Sequence, residues 1–129
     1  IEEPIIPPDP NLLKKDVIRI ELPVVITNPT DYEIALVSVN GEPAIYFDIY
    51  CAEHGAYLGY GILTENATIW ARETRCILIP VFITNVDHLK EHMVGLSFRI
   101  TFVVKNGHVT IQLFDAIFTM TFQGIIPYG

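Results

Sequence analysis

The sequence has little charge, no long apolar run and no basic stripe, and each shortage excludes a class of protein. No stretch approaches the roughly 18 apolar residues of a membrane-spanning helix. Eight Lys and Arg residues against 15 Asp and Glu residues give a net charge of −7, which argues against nucleic-acid binding. Only 18% of the 129 residues are charged while 50% are hydrophobic. We therefore expect one domain in which some apolar side chains stay exposed and can contact a partner.

Cysteine is also scarce, since only Cys51 and Cys76 occur. A single disulfide in an oxidising compartment is one interpretation. However, Cys51 shares the parity of the apolar residues in its predicted strand, whereas Cys76 has the opposite parity to the apolar residues that follow it. This phase favours two free thiols, one of them buried in the core.

What the sequence does contain is alternation of apolar and polar residues, which predicts β-strands. The clearest run is 17–27, and Asn28-Pro29 ends it because proline lacks an amide donor. Similar runs recur to the end of the chain, with a short helix at about 85–94. Asn106-Gly107 predicts a hairpin turn, and a phase change predicts a β-bulge near residues 113–115 that turns Phe114, Phe118, Met120 and Phe122 inward. We expect an all-β, antiparallel immunoglobulin-like or fibronectin-like sandwich of about seven strands.

Residues 1–15 form a proline-rich segment without a steady period, which predicts an extended N-terminal arm in front of a domain at 16–129. The arm can dock on its own domain or on a neighbouring subunit, and its lack of internal support favours the neighbour. Its apolar contacts would come from Ile5, Ile6, Leu12 and Leu13.

The order of motifs resembles the LEA14-like, or WHy, domain of group-2 late embryogenesis abundant proteins. The matching features are Asn28-Pro29 after an apolar strand, the Leu58–Gly61 segment, the Ile69–Ala71 strand, the Ile77–Thr84 strand and a terminal hairpin that ends near Pro127. The resemblance implies a sandwich without catalytic residues, an association with water stress, and membrane proximity in many relatives. In place of the family's additional first strand, this chain has the arm, so we expect an open sheet edge that recruits strands.

Two local motifs suggest chemistry. His88–His92 reads H-x-x-E-H, the order of inverted zinc peptidases. A helix wheel turns His88 and Glu91 outward, and one short helix offers no third ligand, so we expect a solvated helix face with no metal, cofactor or catalytic residue. His54 and His108 are expected to be polar turn residues. Asn66 begins an N-glycosylation sequon, which together with a start at Ile1 favours an exported or cell-surface protein over a cytoplasmic one.

These observations lead to a functional expectation. We expect a non-enzymatic structural or interaction protein that self-associates, as an oligomer or a filament, by strand or arm addition, with no nucleic-acid partner and no small-molecule substrate. One alternative is a monomeric stress-protective or lipid-associated module. A metal-dependent enzyme that uses His88 and His92 is the third hypothesis, and it requires zinc at that helix.

Overall fold

The computed structural model describes residues 3–6, 14–94 and 97–128. Within these residues ten strands and one helix follow one another along the chain. They are β1 (Ile18–Thr27), β2 (Ile34–Leu36), β3 (Ile45–Cys51), β4 (Tyr57–Leu63), β5 (Ala67–Ile69), β6 (Thr74–Ile83), α1 (Val86–Lys90), β7 (Met93–Val94), β8 (Ser97–Phe98), β9 (Ile100–Leu113) and β10 (Ala116–Tyr128).

All pairings between these strands are antiparallel. The main sheet has the order β1-β6-β4-β3-β9-β2-β5, and β10 pairs with β9, while β7 and β8 form a separate small pair. Two strands pair with the same edge of β9: β3 pairs with residues 102–109 of β9, and β2 pairs with Ile111 and Gln112. The structure confirms the predicted all-β antiparallel sandwich. Four of the ten strands have only two or three residues, which is why the pattern alone indicated fewer.

The core follows from the alternation. In β1 the side chains of Ile18, Ile20 and Leu22 are buried, and the Arg19 side chain between them is exposed. In β3 every second residue from Ile45 to Cys51 is buried. Burying one apolar face on each strand contributes about 25 cal/mol per Å² removed from water, so this sorting drives the sheet to close on itself. Both cysteines are free, with Cys51 buried and Cys76 exposed, as their strand phases predicted.

The hairpin turn and the β-bulge are interchanged relative to the prediction. Asn106-Gly107 lies inside β9, where the register shifts against both β3 and β10, and Asn106 has φ +55°. The β9–β10 turn lies at Phe114-Asp115, with φ +53° at Phe114. An Asn-Gly pair suits any left-handed position, so it serves a bulge as well as a turn.

The inward direction predicted for the phenylalanines and methionine of this hairpin is also wrong. Phe114, Phe118 and Met120 are 67%, 43% and 54% exposed, and only Phe122 is half-buried, with its ring against that of Phe47. The hairpin strands contain 14 and 13 residues, whereas β3 contains seven and β2 three. The hairpin tip therefore extends beyond the strands that could cover it.

The helix is shorter than predicted. It spans Val86–Lys90, Asn85 caps it as expected, and residues 93 and 94 already belong to β7. The predicted stop at Gly95 lies outside the described residues. No helix in the described part of the chain is long and apolar enough to cross a membrane.

Candidate metal centre

The end of β3 and the tight turn after it position two side chains. Cys51 is the last residue of β3, at a core-facing position, and is 1% exposed. The turn is closed by the Gly55 amide, which donates to the Cys51 carbonyl, and by the Cys51 amide, which donates to the Ala56 carbonyl. Gly55 has φ +68°, a conformation that residues with a Cβ rarely adopt. This turn brings His54 back over the Cys51 sulfur.

Helix α1 and the turn that follows it position two more side chains, those of His88 and His92. The Asn85 side chain accepts a hydrogen bond from the His88 amide and donates one to the Tyr57 carbonyl, which ties the start of the helix to β4. Val86 and Leu89 are buried in the core. His92 lies in the turn after the helix, where its amide donates to the Leu89 carbonyl, and the rings of His88 and His92 both meet His54 of the β3–β4 turn.

The four side chains meet in one cluster, which we call the Cys-His cluster (Cys51, His54, His88 and His92). One ligand atom from each lies within 4.8 Å of the other three. The Cys51 Sγ atom is 3.3 Å from His92 Nε2 and 3.6 Å from His54 Nδ1. The Nε2 atoms of His88 and His92 are 3.3 Å apart. One thiol and three imidazoles, from two separate parts of the chain, thus converge on a single point.

These separations match the edges of a tetrahedral zinc site. Zinc–nitrogen bonds of about 2.0–2.1 Å and a zinc–sulfur bond of about 2.3 Å imply nitrogen–nitrogen edges of about 3.4 Å and nitrogen–sulfur edges of about 3.6 Å. The sulfur–nitrogen distances of 3.3 and 3.6 Å and the nitrogen–nitrogen distance of 3.3 Å agree with these values within about 0.3 Å. The other three pairs lie within 4.8 Å and would need to close by up to about 1.4 Å when a metal binds.

Two carboxylates surround the cluster. Glu91 Oε2 lies 2.8 Å from His88 Nδ1, so the ring nitrogen that faces away from the cluster meets a carboxylate, the usual outer partner of a metal-bound histidine. On the other side the Cys51 thiol donates to Glu53 Oε2 at 3.1 Å, and Glu53 Oε1 accepts from the Thr101 amide. Burial and the hydrogen bond to Glu53 raise the pKa of the Cys51 thiol. The same hydrogen bond lowers the pKa of the Glu53 carboxyl.

The outward direction predicted for His88 is wrong, because its side chain is only 11% exposed. The helical-wheel prediction considered α1 alone, whereas in the folded chain His54 of the β3–β4 turn packs against the face of α1 that carries His88. His54 does lie in a turn, as predicted, but its ring packs against the rings of His88 and His92. The H-x3-H spacing at His88–His92 was recognised from the sequence but given no third ligand, and the missed signal was the C-x2-H spacing at Cys51–His54. Each spacing is typical of zinc ligands, yet nothing local shows that the two meet.

The other predicted site residues lie elsewhere. In the arm, Ile5 forms an antiparallel bridge with Glu21 of β1, and Ile6 packs against the core, so residues 3–6 dock on their own domain. Leu12 and Leu13 lie outside the described residues. The side chain of Asn28 is buried after β1, Pro29 is exposed beside it, and Asn66 is exposed before β5. None of the described residues in this group belongs to the Cys-His cluster.

Comparisons with known proteins support the fold alone. No family model matches the sequence, and no curated protein matches it, so the LEA14-like resemblance stays a prediction. A crystal structure of a protein from Archaeoglobus fulgidus matches with a TM-score of 0.56 and 12% identity, over 88% of this chain and 86% of that one. A cross-linked bacterial adhesin from Mobiluncus mulieris matches with a TM-score of 0.38 and 14% identity, over 90% of this chain and 42% of the adhesin chain.

Proposed function

We propose that this chain is a zinc-binding β-sandwich domain in which the metal stabilises the fold and performs no catalysis. The observation that supports this function is the Cys-His cluster, in which four ligand atoms from two separate elements lie within 4.8 Å of one another. The expectation of a metal-free protein is thereby set aside in favour of a metal-dependent one. The non-enzymatic character expected from the sequence is kept.

The donor atoms favour zinc among the common metals. Calcium and magnesium take oxygen ligands, whereas this cluster offers one sulfur and three nitrogens. A mixed thiolate and imidazole set with tetrahedral edges is typical of zinc. The carboxylate of Glu91 on the outer nitrogen of His88 would hold that ring in the orientation that a metal requires.

A structural role follows from the number of protein ligands. Four side chains complete a tetrahedral shell and leave no position for a water or a substrate, whereas catalytic zinc sites keep one position open. The bound ion would join the β3–β4 turn to α1. That helix has five residues, far fewer than the roughly 12–15 that a helix needs to be marginally stable alone. A metal cross-link would therefore fix an element that has little stability of its own.

Metal binding by the whole chain tests the proposal. We expect one zinc ion per chain after dialysis against a weak chelator, measured by elemental analysis. With free zinc 100-fold above its dissociation constant, binding should add about 2.7 kcal/mol to the free energy of unfolding. For a domain of this size that gain corresponds to a rise in Tm of roughly 5–15 °C.

Matched variants test whether the Cys-His cluster is the site that binds zinc. Cys51→Ser and His92→Asn should lose zinc and the zinc-dependent rise in Tm. Cys76→Ser and His108→Asn change the same residue types outside the cluster and should retain both. Cobalt adds an optical readout, because a thiolate-to-cobalt band should be present in Cys76→Ser and absent in Cys51→Ser. Circular dichroism without metal shows whether each variant is folded. Equal zinc stoichiometry in Cys51→Ser and Cys76→Ser would refute the assignment.

A further inference from the structure

A long strand edge is left open on the side of the molecule formed by β10. This strand pairs with β9 from Ala116 to Tyr128, and no other described strand pairs with it. At the β1 side of the sheet the edge is partly covered, because Ile5 exchanges backbone hydrogen bonds of 2.7 and 3.1 Å with Glu21. A bare edge of 13 residues offers a row of unpaired amide and carbonyl groups.

The side chains on this edge are apolar and exposed. Ile117, Phe118, Met120 and Ile125 are 51%, 43%, 54% and 72% exposed, and we call these four residues the hydrophobic edge. No charged residue occurs between Ala116 and Tyr128. Proteins commonly protect such edges with lysine, proline or a bulge, but the first seven residues of β10 have none of these, since its register shift follows Phe122 and its proline is residue 127.

We infer that the hydrophobic edge is the pairing site for a second copy of this chain, so that two β10 strands join the sheets of a two-fold dimer. The net charge of −7 makes two copies repel each other over most of their surfaces. The uncharged strand is where they can approach without like charges opposite one another. This dimer is independent of the proposed zinc site.

Antiparallel pairing of a strand with its own copy is self-complementary, as a two-fold interface requires. With the axis at Thr119, Phe118 of each copy lies opposite Met120 of the other, which gives a favourable sulfur–aromatic contact. Ile117 then lies opposite Thr121, a pair of β-branched residues suited to a sheet. Because residues 3–6 of the arm dock on their own β1, we assign the association to β10 and not to arm exchange.

The exposed area predicts a weak dimer. The register about Thr119 pairs residues 116–122, so Ile117, Phe118 and Met120 supply the exposed apolar side chains and Ile125 lies outside the pairing. These three present on the order of 300 Å², a little over a third of the roughly 800 Å² that each partner buries in a standard interface. Backbone hydrogen bonds between the two β10 strands add to the affinity, so we expect a dissociation constant in the micromolar range. Salt should strengthen the dimer, because it screens the repulsion between two negative chains.

Sedimentation velocity from about 1 to 200 µM, a range that spans the weak-interface regime, tests the inference on the full chain. EDTA is present throughout, so that zinc cannot bridge copies and failure of the zinc proposal does not affect the result. The wild type should shift from monomer to dimer, and the shift should occur at lower concentration in high salt. Met120→Lys should remain monomeric over the same range. Leu78→Lys is the matched control, since Leu78 is 48% exposed but lies on β6, where it pairs with Pro23 of β1 and not with β10.

Circular dichroism and Tm show whether both lysine variants are folded, and removal of residues 1–6 should leave the dimer intact. A wild type that stays monomeric at every concentration would overturn the inference, as would equal loss of dimer in the two lysine variants. Association that depends on residues 1–6 would assign the contact to the arm. Binding of the monomer to lipid vesicles through Met120 would make a membrane, and not a second copy, the partner of β10.

Discussion

The buried amide of Asn28 provides the sharpest test of how the corner after β1 is held. Asn28 is 0% exposed, and its side-chain nitrogen donates to the carbonyls of Tyr32, Ile69 and Trp70 at 2.6, 3.1 and 3.1 Å. Its side-chain oxygen accepts from the amide and the hydroxyl of Thr30. One side chain therefore joins the end of β1, the following turn and the end of β5.

We predict that Asn28→Ala destabilises the fold by about 3–5 kcal/mol. A buried polar group that loses its partner costs about 1–3 kcal/mol. Asn28→Ala removes a donor from the carbonyls of Tyr32, Ile69 and Trp70 and an acceptor from Thr30, and each lost hydrogen bond costs about 1 kcal/mol. Native domains are stable by only about 5–15 kcal/mol, so this loss is a large fraction of the total.

Urea denaturation measures the effect, followed by circular dichroism and by the fluorescence of Trp70, the one tryptophan of the chain. With a slope of 1–3 kcal/mol per molar urea, the midpoint should fall by about 2 M. The matched control is Asn66→Ala, because Asn66 is exposed and its side chain accepts one hydrogen bond, from the Ser38 amide. The free energy of unfolding of this variant should fall by less than about 1 kcal/mol. If Asn28→Ala is no less stable than Asn66→Ala, the reasoning about the corner is wrong.

Two further predictions concern close packing and pH. In Gly59→Ala the added methyl group would overlap the backbone carbonyl oxygen of Phe82 in β6. We therefore expect the free energy of unfolding, measured by chemical denaturation, to fall by more than about 3 kcal/mol. A fall below about 1 kcal/mol would contradict this packing argument. Burial and the hydrogen bond to Asp48 raise the pKa of Tyr46 to about 12, above about 10 in the unfolded chain. The stabilisation by neutral Tyr46 is complete below pH 10 and is lost as pH rises through 12, so Tyr46→Phe should unfold less steeply across this window in pH-dependent circular dichroism.

Much of the fold could be predicted from the order of residues. Alternation identified the long strands and their buried faces, Asn28-Pro29 marked the end of β1, and strand phase placed Cys51 inside and Cys76 outside. These features depend on the two-residue period of an extended chain, which needs no knowledge of distant contacts. The cap at Asn85 was equally local, since a side chain and an amide three residues later determine it.

The sequence alone thus determined the strands, the buried faces and one helix start, because each depends on neighbours along the chain. Only the tertiary structure decided that Asn106-Gly107 forms a bulge, that the tip of β10 is uncovered, and that Cys51 meets His92 at 3.3 Å across 41 residues. Each of these depends on which segments pack together. Such packing is set by the closure of the whole sheet, and no local pattern of residues records it.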